Sequence, residues 1–229
     1  MLYRIPYDEN SNNFHIKEII KQRKIQNLTH FTKIENLESI LANGLLSRKY
    51  LDSNKIKYAF NDNERWDNKI NATCLSIEFP NEFLLKKFKE KYINAKWVII
   101  LLDIKLLNNN CNKYFCNKNA GGASSWLDCD CSQTFHAFES LFNEKINSKS
   151  LARSDQLYIK KYLPTDVQAE ILIEDNIQPK FIKKLIFETQ NDLEICKSSF
   201  VDKGLLEKYN PIVNSQFYDS RQNFFWEDR

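Results

Sequence analysis

Glycine is scarce in this chain, with only four among 229 residues. None of the four forms the G-x-G-x-x-G fingerprint of dinucleotide-binding Rossmann domains or the G-x-x-x-x-G-K-[ST] phosphate loop. Both motifs need glycines that let the backbone approach a phosphate closely. The scarcity therefore removes the usual support for a Rossmann or P-loop nucleotide site.

Long apolar runs are also missing. No window approaches the ~20 consecutive apolar residues of a membrane-spanning helix, and the segment from Met1 to Pro6 lacks the apolar core of a signal peptide. We therefore expect a cytoplasmic protein without membrane contact. The length and the 42% hydrophobic content favour one domain with one core, which we expect to be monomeric.

Cysteine motifs are weak although the chain has six cysteines. No C-x-x-C pair occurs, and without a secretion signal the cysteines are predicted to be buried or free thiols rather than disulfides. A zinc site is the alternative, because one stretch contains Cys111, Cys116, Cys129, Cys131 and His136. We expect no metal.

Hydrophobic periodicity predicts strands and helices in an irregular order. The predicted strands are 28–32, 72–78, 96–104, 113–116, 167–173 and 181–188, and the predicted helices are 14–25, 36–43, 81–92, 134–146 and part of 193–209. Such mixing, without repeated βαβ units, indicates an α+β fold. We expect a helical extension at 1–26, a core at 27–190 and a segment at 191–229 that packs on the same domain, since its aromatic residues disfavour a disordered tail.

Two short segments carry the candidate site. Gln168 and Glu170 stand at the start of the strand predicted at 167–173, and on an extended chain residues two apart emerge on the same face. A glutamate on the solvent side of a sheet edge is the ordinary alternative. The second segment is a strand with His30 and Thr32, followed by a helix from Asn36 and by Gly44 as a left-handed cap.

These segments belong to a longer series of blocks in a fixed order. The blocks are His30-x-Thr32 with Asn36-Leu37, then Ile56-Lys57-Tyr58-Ala59 before Glu64-Arg65, Asn119-Ala120, Ala137-Phe138-Glu139 and Thr165-Asp166-x-Gln168-Ala169-Glu170. The series, over residues 27–188, resembles the DarT-type DNA ADP-ribosyltransferase toxins. Cys74-Leu75-Ser76-Ile77 replaces an aromatic-rich segment of the better-known branch, so a divergent branch is indicated. The resemblance implies an ADP-ribosyltransferase fold, with two packed central β-sheets flanked by helices and a cleft for NAD between them.

The resemblance also implies roles for single residues. Glu170 would be catalytic, by stabilising the positive ribose as nicotinamide leaves and by accepting a proton from the acceptor base. Arg65 would hold an NAD phosphate and orient the acceptor, with Arg48 as a competing candidate. The remaining cofactor-binding residues would be His30, Thr32, Asn36 and Gly44. Helix capping explains Asn36 equally well.

The acceptor is expected to be single-stranded DNA, bound by Gln168, Arg153, Tyr158, Lys160 and Lys161 through phosphate contact and stacking. The lysines at 86–91 are interpreted as a solvated helix face. The resemblance implies an NAD-dependent mono-ADP-ribosyltransferase toxin with a macrodomain ADP-ribosylglycohydrolase antitoxin. An enzyme that modifies RNA or protein, or an inert nucleic-acid-binding module, stays open as an alternative.

Overall fold

Seven strands form one sheet in the order β4-β5-β2-β1-β3-β6-β7 in the computed structural model, which describes residues 9–60, 69–108, 111–120, 131–146, 151–156 and 159–224. The strands are β1 (Asn27–Lys33), β2 (Ala72–Ile77), β3 (Trp97–Asp103), β4 (Lys113–Cys116), β5 (Glu170–Glu174), β6 (Ile182–Phe187) and β7 (Ile212–Val213). Neighbouring strands are antiparallel except for β6 and β7. The α+β fold is confirmed.

The centre of this sheet is a short seam. β1 and β2 pair at Leu28–Ile77 and at Thr29–Ser76, two positions, whereas β1 pairs with β3 along its full length. Beyond the seam β1 continues to Lys33 and β2 extends back to Ala72, where it pairs with β5 instead. The two sheets expected from the sequence are thus the two halves of one seven-stranded sheet, β4-β5-β2 and β1-β3-β6-β7, which separate at this seam.

Seven helices flank the sheet in the described part of the chain. They are α1 (Glu9–Arg23), α2 (Leu37–Asn43), α3 (Arg48–Ser53), α4 (Glu82–Lys91), α5 (Phe135–Ser140), α6 (Gln190–Ser199) and α7 (Lys203–Glu207). The side chain of Asn81 caps α4 by accepting a hydrogen bond from Leu84 N–H, at 3.1 Å. The near-continuous apolar run predicted as a strand is β3, whose Val98, Ile99 and Ile100 are fully buried. No described helix is long and apolar enough to cross a membrane.

The last described residues pack on the sheet. β7 pairs with β6, and the rings of Phe217 and Phe224 lie 5.5 and 5.4 Å from the ring of Phe79. The hydroxyl of Tyr218 lies 2.7 Å from the carbonyl oxygen of Ile186. These contacts fit the expected packing segment, although the division of the chain at residues 26 and 190 stays a prediction.

Two predicted elements have different limits. The strand predicted at 167–173 begins at Glu170, because Asp166 forms a turn in which its side chain accepts a hydrogen bond from Gln168 N–H at 2.8 Å. The argument that Gln168 and Glu170 share a strand face is therefore wrong. The helix predicted at 134–146 ends at Ser140, and the Leu141 carbonyl accepts instead from Thr165 N–H.

The cysteine prediction is wrong for one pair. Phe115 and Ser132 form an antiparallel bridge, which places Cys116 opposite Cys131, and these two residues form a disulfide. Two of the five candidate zinc ligands are thereby used, while Cys129 lies outside the described residues. Among the residues that the structure describes, no group of three or more His, Cys, Asp and Glu could hold a metal ion.

Candidate active site

A cleft of about 470 Å³ opens where the two halves of the sheet separate. Its floor is the diverging ends of β1 and β2, and its walls include α2, α4 and residues 57–60. His30, Thr32, Asn36, Gly44 and Glu170 all line it. The structure thus brings together the described residues that were predicted for catalysis and cofactor binding, although Glu170 is more than a hundred residues from the others in the sequence.

Glu170 is the first residue of β5 and is only 5% exposed. It stands opposite Cys116 on β4, and its Oε2 accepts a hydrogen bond from Ala120 N–H at 3.1 Å. Because β5 lies between β4 and β2, Glu170 is not at a sheet edge. The alternative of a solvent-facing edge glutamate is therefore wrong, and a buried carboxylate faces the cleft.

His30 connects the two halves of the sheet just past the seam. Its Nδ1 lies 3.0 Å from the carbonyl oxygen of Cys74 on β2. A carbonyl oxygen can only accept, so Nδ1 is the donor in this contact. The imidazole thus has a fixed orientation at the floor of the cleft.

Asn36 anchors a wall of the cleft. Its side-chain oxygen accepts from Ala59 N–H at 2.7 Å, and its Nδ2 donates to Ala59 O at 2.7 Å and to Thr32 Oγ1 at 3.0 Å. It makes no capping bond to α2, so helix capping does not explain this residue. The amide of Asn36 holds residues 57–60 against β1, and Thr32 is nearly buried beneath it.

Gly44 is needed for a close backbone contact. Its φ of 90° with ψ of −178° is a region that essentially only glycine adopts, rather than the left-handed cap predicted from the sequence. A Cβ there would lie 2.0 Å from the carbonyl oxygen of Ile177, and the next residue, Leu45, forms a β-bridge with Ile177. Gly44 therefore shapes the cleft wall through packing.

One family profile, described as "DarT: ssDNA thymidine ADP-ribosyltransferase, DarT", matches residues 29–219. The chain belongs to the DarT family. This match extends over both sides of the cleft and includes every strand of the sheet except the first two residues of β1. No curated protein matches the chain in sequence.

Solved DarT structures share the fold. Thermosipho africanus DarTG in complex with ADP-ribose is 15% identical, with a TM-score of 0.55, over 84% of this chain and 51% of that one. Thermus sp. 2.9 DarT in complex with NAD+ is 12% identical, with a TM-score of 0.55, over 84% of this chain and 97% of that one. Thermus sp. 2.9 DarT in complex with ADP-ribosylated ssDNA is 13% identical, with a TM-score of 0.52, over 86% and 97%. This chain thus spans about half of the T. africanus chain, and the ADP-ribosyltransferase-like fold is confirmed.

The described residues that were predicted to bind the acceptor do not line the cleft of this DarT protein. Gln168 is in the turn before β5, and Lys161 is exposed outside the cleft lining. The guanidinium of Arg153 donates to the carbonyl oxygens of Lys160 and Leu163, at 2.7 and 2.8 Å. Its bonds therefore support the backbone of its own loop. Two further predicted residues, Arg65 and Tyr158, lie outside the described residues.

Basic and aromatic residues that the sequence reasoning did not assign to the site line the cleft instead. Lys87 and Lys91, one turn apart on α4, are exposed and line one wall, so the solvated face predicted for this run also borders the cleft. Lys57 and Phe60 line the wall that Asn36 anchors, and Phe60 is 45% exposed. The signal in the sequence was the i, i+4 spacing of the two lysines on a helix whose other face is apolar.

Proposed function

We propose that this chain cleaves NAD+ and transfers its ADP-ribose to a thymine base in single-stranded DNA, with release of nicotinamide. The bond between the ribose C1′ and the nicotinamide nitrogen breaks, a bond from C1′ to a ring nitrogen of thymine forms, and that nitrogen loses its proton. Membership of the DarT family supports the reaction. The observation that carries the proposal is the buried Glu170 at the cleft, held by Ala120 N–H.

Glu170 has two tasks in this proposal. Departure of nicotinamide leaves oxocarbenium-like positive charge on the ribose, and a carboxylate in a site shielded from water stabilises such charge more strongly than one in bulk solvent. The same carboxylate then accepts the proton of the attacking nitrogen as a general base. The bond from Ala120 fixes the carboxylate before substrate binds, so little reorganisation accompanies the reaction.

NAD+ would lie along the diverging ends of β1 and β2. His30 lines this part of the cleft with an imidazole whose orientation is set by Cys74 O, and Thr32, two residues further along β1, lies under the amide of Asn36. We assign Asn36 and Gly44 to the shape of the cleft wall rather than to direct hydrogen bonds with the cofactor. Arg65 stays a predicted ligand for an NAD phosphate and for orienting the acceptor.

The acceptor strand would enter between α4 and residues 57–60. Lys87 and Lys91 attract its phosphates, and Phe60 offers a partly exposed ring on which a base can stack. Base pairing hides the reacting nitrogen and unstacking costs a few kcal/mol, so a single strand is favoured over a duplex. We also propose a cytoplasmic monomer with a macrodomain ADP-ribosylglycohydrolase antitoxin, in line with the name DarTG of its T. africanus relative.

The test combines one substitution with a set of acceptors. Glu170→Gln keeps the shape of the side chain and removes its charge, so transfer should fall by roughly 10²- to 10³-fold while NAD+ binding is retained. Glu174→Gln, at the other end of β5 where Glu174 pairs with Lys69, is the matched control and should stay active. Transfer by Glu170→Gln at the parental rate would remove Glu170 from the mechanism.

The acceptors are single-stranded DNA, the matching duplex and RNA of the same sequence, each incubated with NAD+ and analysed by mass spectrometry. We expect an ADP-ribose adduct on thymine in the single strand alone. Product on RNA with none on DNA would identify an RNA-modifying enzyme instead. An absence of NAD+ consumption with every acceptor would indicate the inert binding module.

A further inference from the structure

The chain that leads into Glu170 is irregular and yet buried. Tyr162, Leu163 and Thr165 are between 1% and 3% exposed, although residues 160–165 belong to no helix or strand. Buried backbone of this kind needs hydrogen-bond partners, because unpaired polar groups away from water are costly. Five carbonyl groups in this segment accept hydrogen bonds from the side chains of three arginines, Arg23, Arg153 and Arg221.

The arginines come from three distant parts of the chain. Arg23, at the end of α1, donates to Lys161 O at 2.9 Å. Arg153 donates to the carbonyl oxygens of Lys160 and Leu163, and more weakly to Thr165 Oγ1 at 3.4 Å. Arg221, in the C-terminal segment, donates to the two carbonyls that follow. Of the three arginines, Arg221 therefore binds the carbonyl groups that are closest to Glu170 in the sequence.

Arg221 makes contacts that only a planar guanidinium provides at one site. Its two terminal nitrogens donate to Pro164 O at 2.8 Å and to Thr165 O at 2.9 Å, and the second also donates to Gln156 Oε1 at 2.8 Å. Its own backbone N–H donates to Glu82 Oε2 at 2.6 Å, which ties the position to α4. A lysine at this position could not bridge the same two carbonyls with rigid geometry.

Placing three arginines here has a cost. Desolvation, followed by the charges of Arg23 and Arg221, lowers the pKa of Arg153 to about 10. Desolvation also lowers the pKa of Arg221, which is only 9% exposed. Apolar side chains could fill the same volume without this penalty, but they could not bond the carbonyls. The bonds to the backbone are therefore the feature that this cluster supplies.

The few residues between this cluster and Glu170 are held in place by hydrogen bonds. Thr165 is fixed by its N–H bond to Leu141 O at 2.8 Å, and Asp166 O accepts from Ala169 N–H at 3.1 Å. The side chain of Asp166 also binds Gln168 N–H, and β5 starts at the next residue but one. A shift of the backbone at Pro164–Thr165 would thus pass directly into the start of β5.

We propose that Arg221 is a positioning residue for Glu170, which acts by fixing the carbonyls of Pro164 and Thr165 ahead of the turn. This inference rests on the proposed role of Glu170. It makes the C-terminal segment part of the catalytic unit, because a residue 51 positions after Glu170 sets where the carboxylate lies in the cleft. Arg153 and Arg23 hold the earlier carbonyls and act more weakly.

The experiment compares Arg221→Ala and Arg221→Lys in the full chain. Misplacement of a catalytic group by about 1 Å costs as much as 10²-fold, so kcat for transfer should fall roughly 10- to 100-fold in both variants. NAD+ affinity, measured by calorimetry, and KM for the DNA should not change, since Arg221 does not line the cleft. Added guanidinium ion should restore part of the kcat of Arg221→Ala.

Leu206→Ala is the matched control, because Leu206 is buried in the same C-terminal segment and belongs to α7, which packs on α2. It should lower stability without lowering kcat at temperatures where circular dichroism reports a folded protein. Three results would overturn the positioning role. They are a kcat of the Arg221 variants equal to the kcat of the parent, a loss of kcat in Leu206→Ala as large as in the Arg221 variants, and no recovery of kcat in Arg221→Ala with guanidinium. If Arg221→Ala does not fold, Arg221→Lys decides by the same comparison of kcat and KM.

Glu170→Gln separates this inference from the proposed function. An inactive Glu170→Gln beside fully active Arg221 variants would overturn only the positioning role. An active Glu170→Gln would overturn the role of Glu170 itself, whatever the Arg221 variants do.

Discussion

Replacement of Asn36 should release one wall of the cleft. Its amide makes three hydrogen bonds, two to Ala59 and one to Thr32. A typical hydrogen bond contributes about 0.5–1.5 kcal/mol, and loss of a partner also leaves backbone groups of Ala59 unpaired, so Asn36→Ala should weaken the docking of residues 57–60 by about 2–4 kcal/mol. Asn36→Asp keeps an acceptor for Ala59 N–H but places a carboxylate against Ala59 O, and should be at least as damaging.

Amide hydrogen exchange tests this prediction directly. A loss of about 2 kcal/mol corresponds to roughly 30-fold more frequent local opening, so the amides of residues 57–60 should exchange at least that much faster in Asn36→Ala. NAD+ binding should weaken as a consequence, because the wall no longer has one position. Asn43→Ala is the control, since Asn43 is an exposed residue at the end of α2 whose Nδ2 donates to Ser39 O, within the same helix, at 3.1 Å. Unchanged exchange at 57–60 together with weaker NAD+ binding would refute the anchoring role and support direct contact with the cofactor.

Three further predictions concern other parts of the molecule. Gly44→Ala should lower the free energy of unfolding, measured in urea, by at least ~1–2 kcal/mol, which is the cost of an unfavourable positive φ. A clash of the new Cβ with Ile177 O adds to this cost, and an unchanged urea midpoint would contradict the prediction. Lys87→Gln combined with Lys91→Gln should weaken single-stranded DNA binding and reduce its salt slope by about 1.4 units, at about 0.7 per phosphate contact on a single strand, while NAD+ affinity is kept. Anisotropy titrations with an unaltered slope would exclude both lysines from the phosphate contacts. In the oxidised protein the disulfide between Cys116 and Cys131 should stabilise the fold by roughly 3 kcal/mol, so reduction should lower the thermal midpoint of the parent and leave that of Cys131→Ser unchanged.

Local patterns in the sequence predicted the elements that carry the site. The apolar run of β3, the strand with His30 and the start of α2 near Asn36 all follow from periodicity over a few residues, which neighbouring side chains determine. The position of Glu170 at the mouth of a buried strand also follows from the apolar residues after it. That these segments meet at one cleft was predicted from the order of the motif blocks and the family resemblance. Periodicity alone does not specify which strands are neighbours in the sheet.

Contacts over long separations account for what the sequence did not predict. The backbone partner of Asn36 is 23 residues away, and the N–H that binds Glu170 is 50 residues away. The disulfide depends on the β-bridge between Phe115 and Ser132, and the spacing of the cysteines in the sequence does not predict this bridge. The turn at Gln168, in contrast, could have been predicted from the local sequence. Asp166 favours an Asx-turn, in which its side chain accepts from the backbone N–H two residues later, and this turn competes with an extended strand.

The cleft itself results from the small extent of pairing between β1 and β2. At Leu28 and Thr29 the two strands are hydrogen-bonded neighbours, and one residue later His30 contacts β2 through its side chain, at Cys74 O. From that point the described strand pairing of β1 is with β3 on its other side, and the cleft occupies the space between β1 and β2. A longer pairing would close this space and would bury His30 between strands. The short seam therefore connects fold and function, because it positions the imidazole on one half of the sheet and the carboxylate of Glu170 on the other, with the substrate cleft between them.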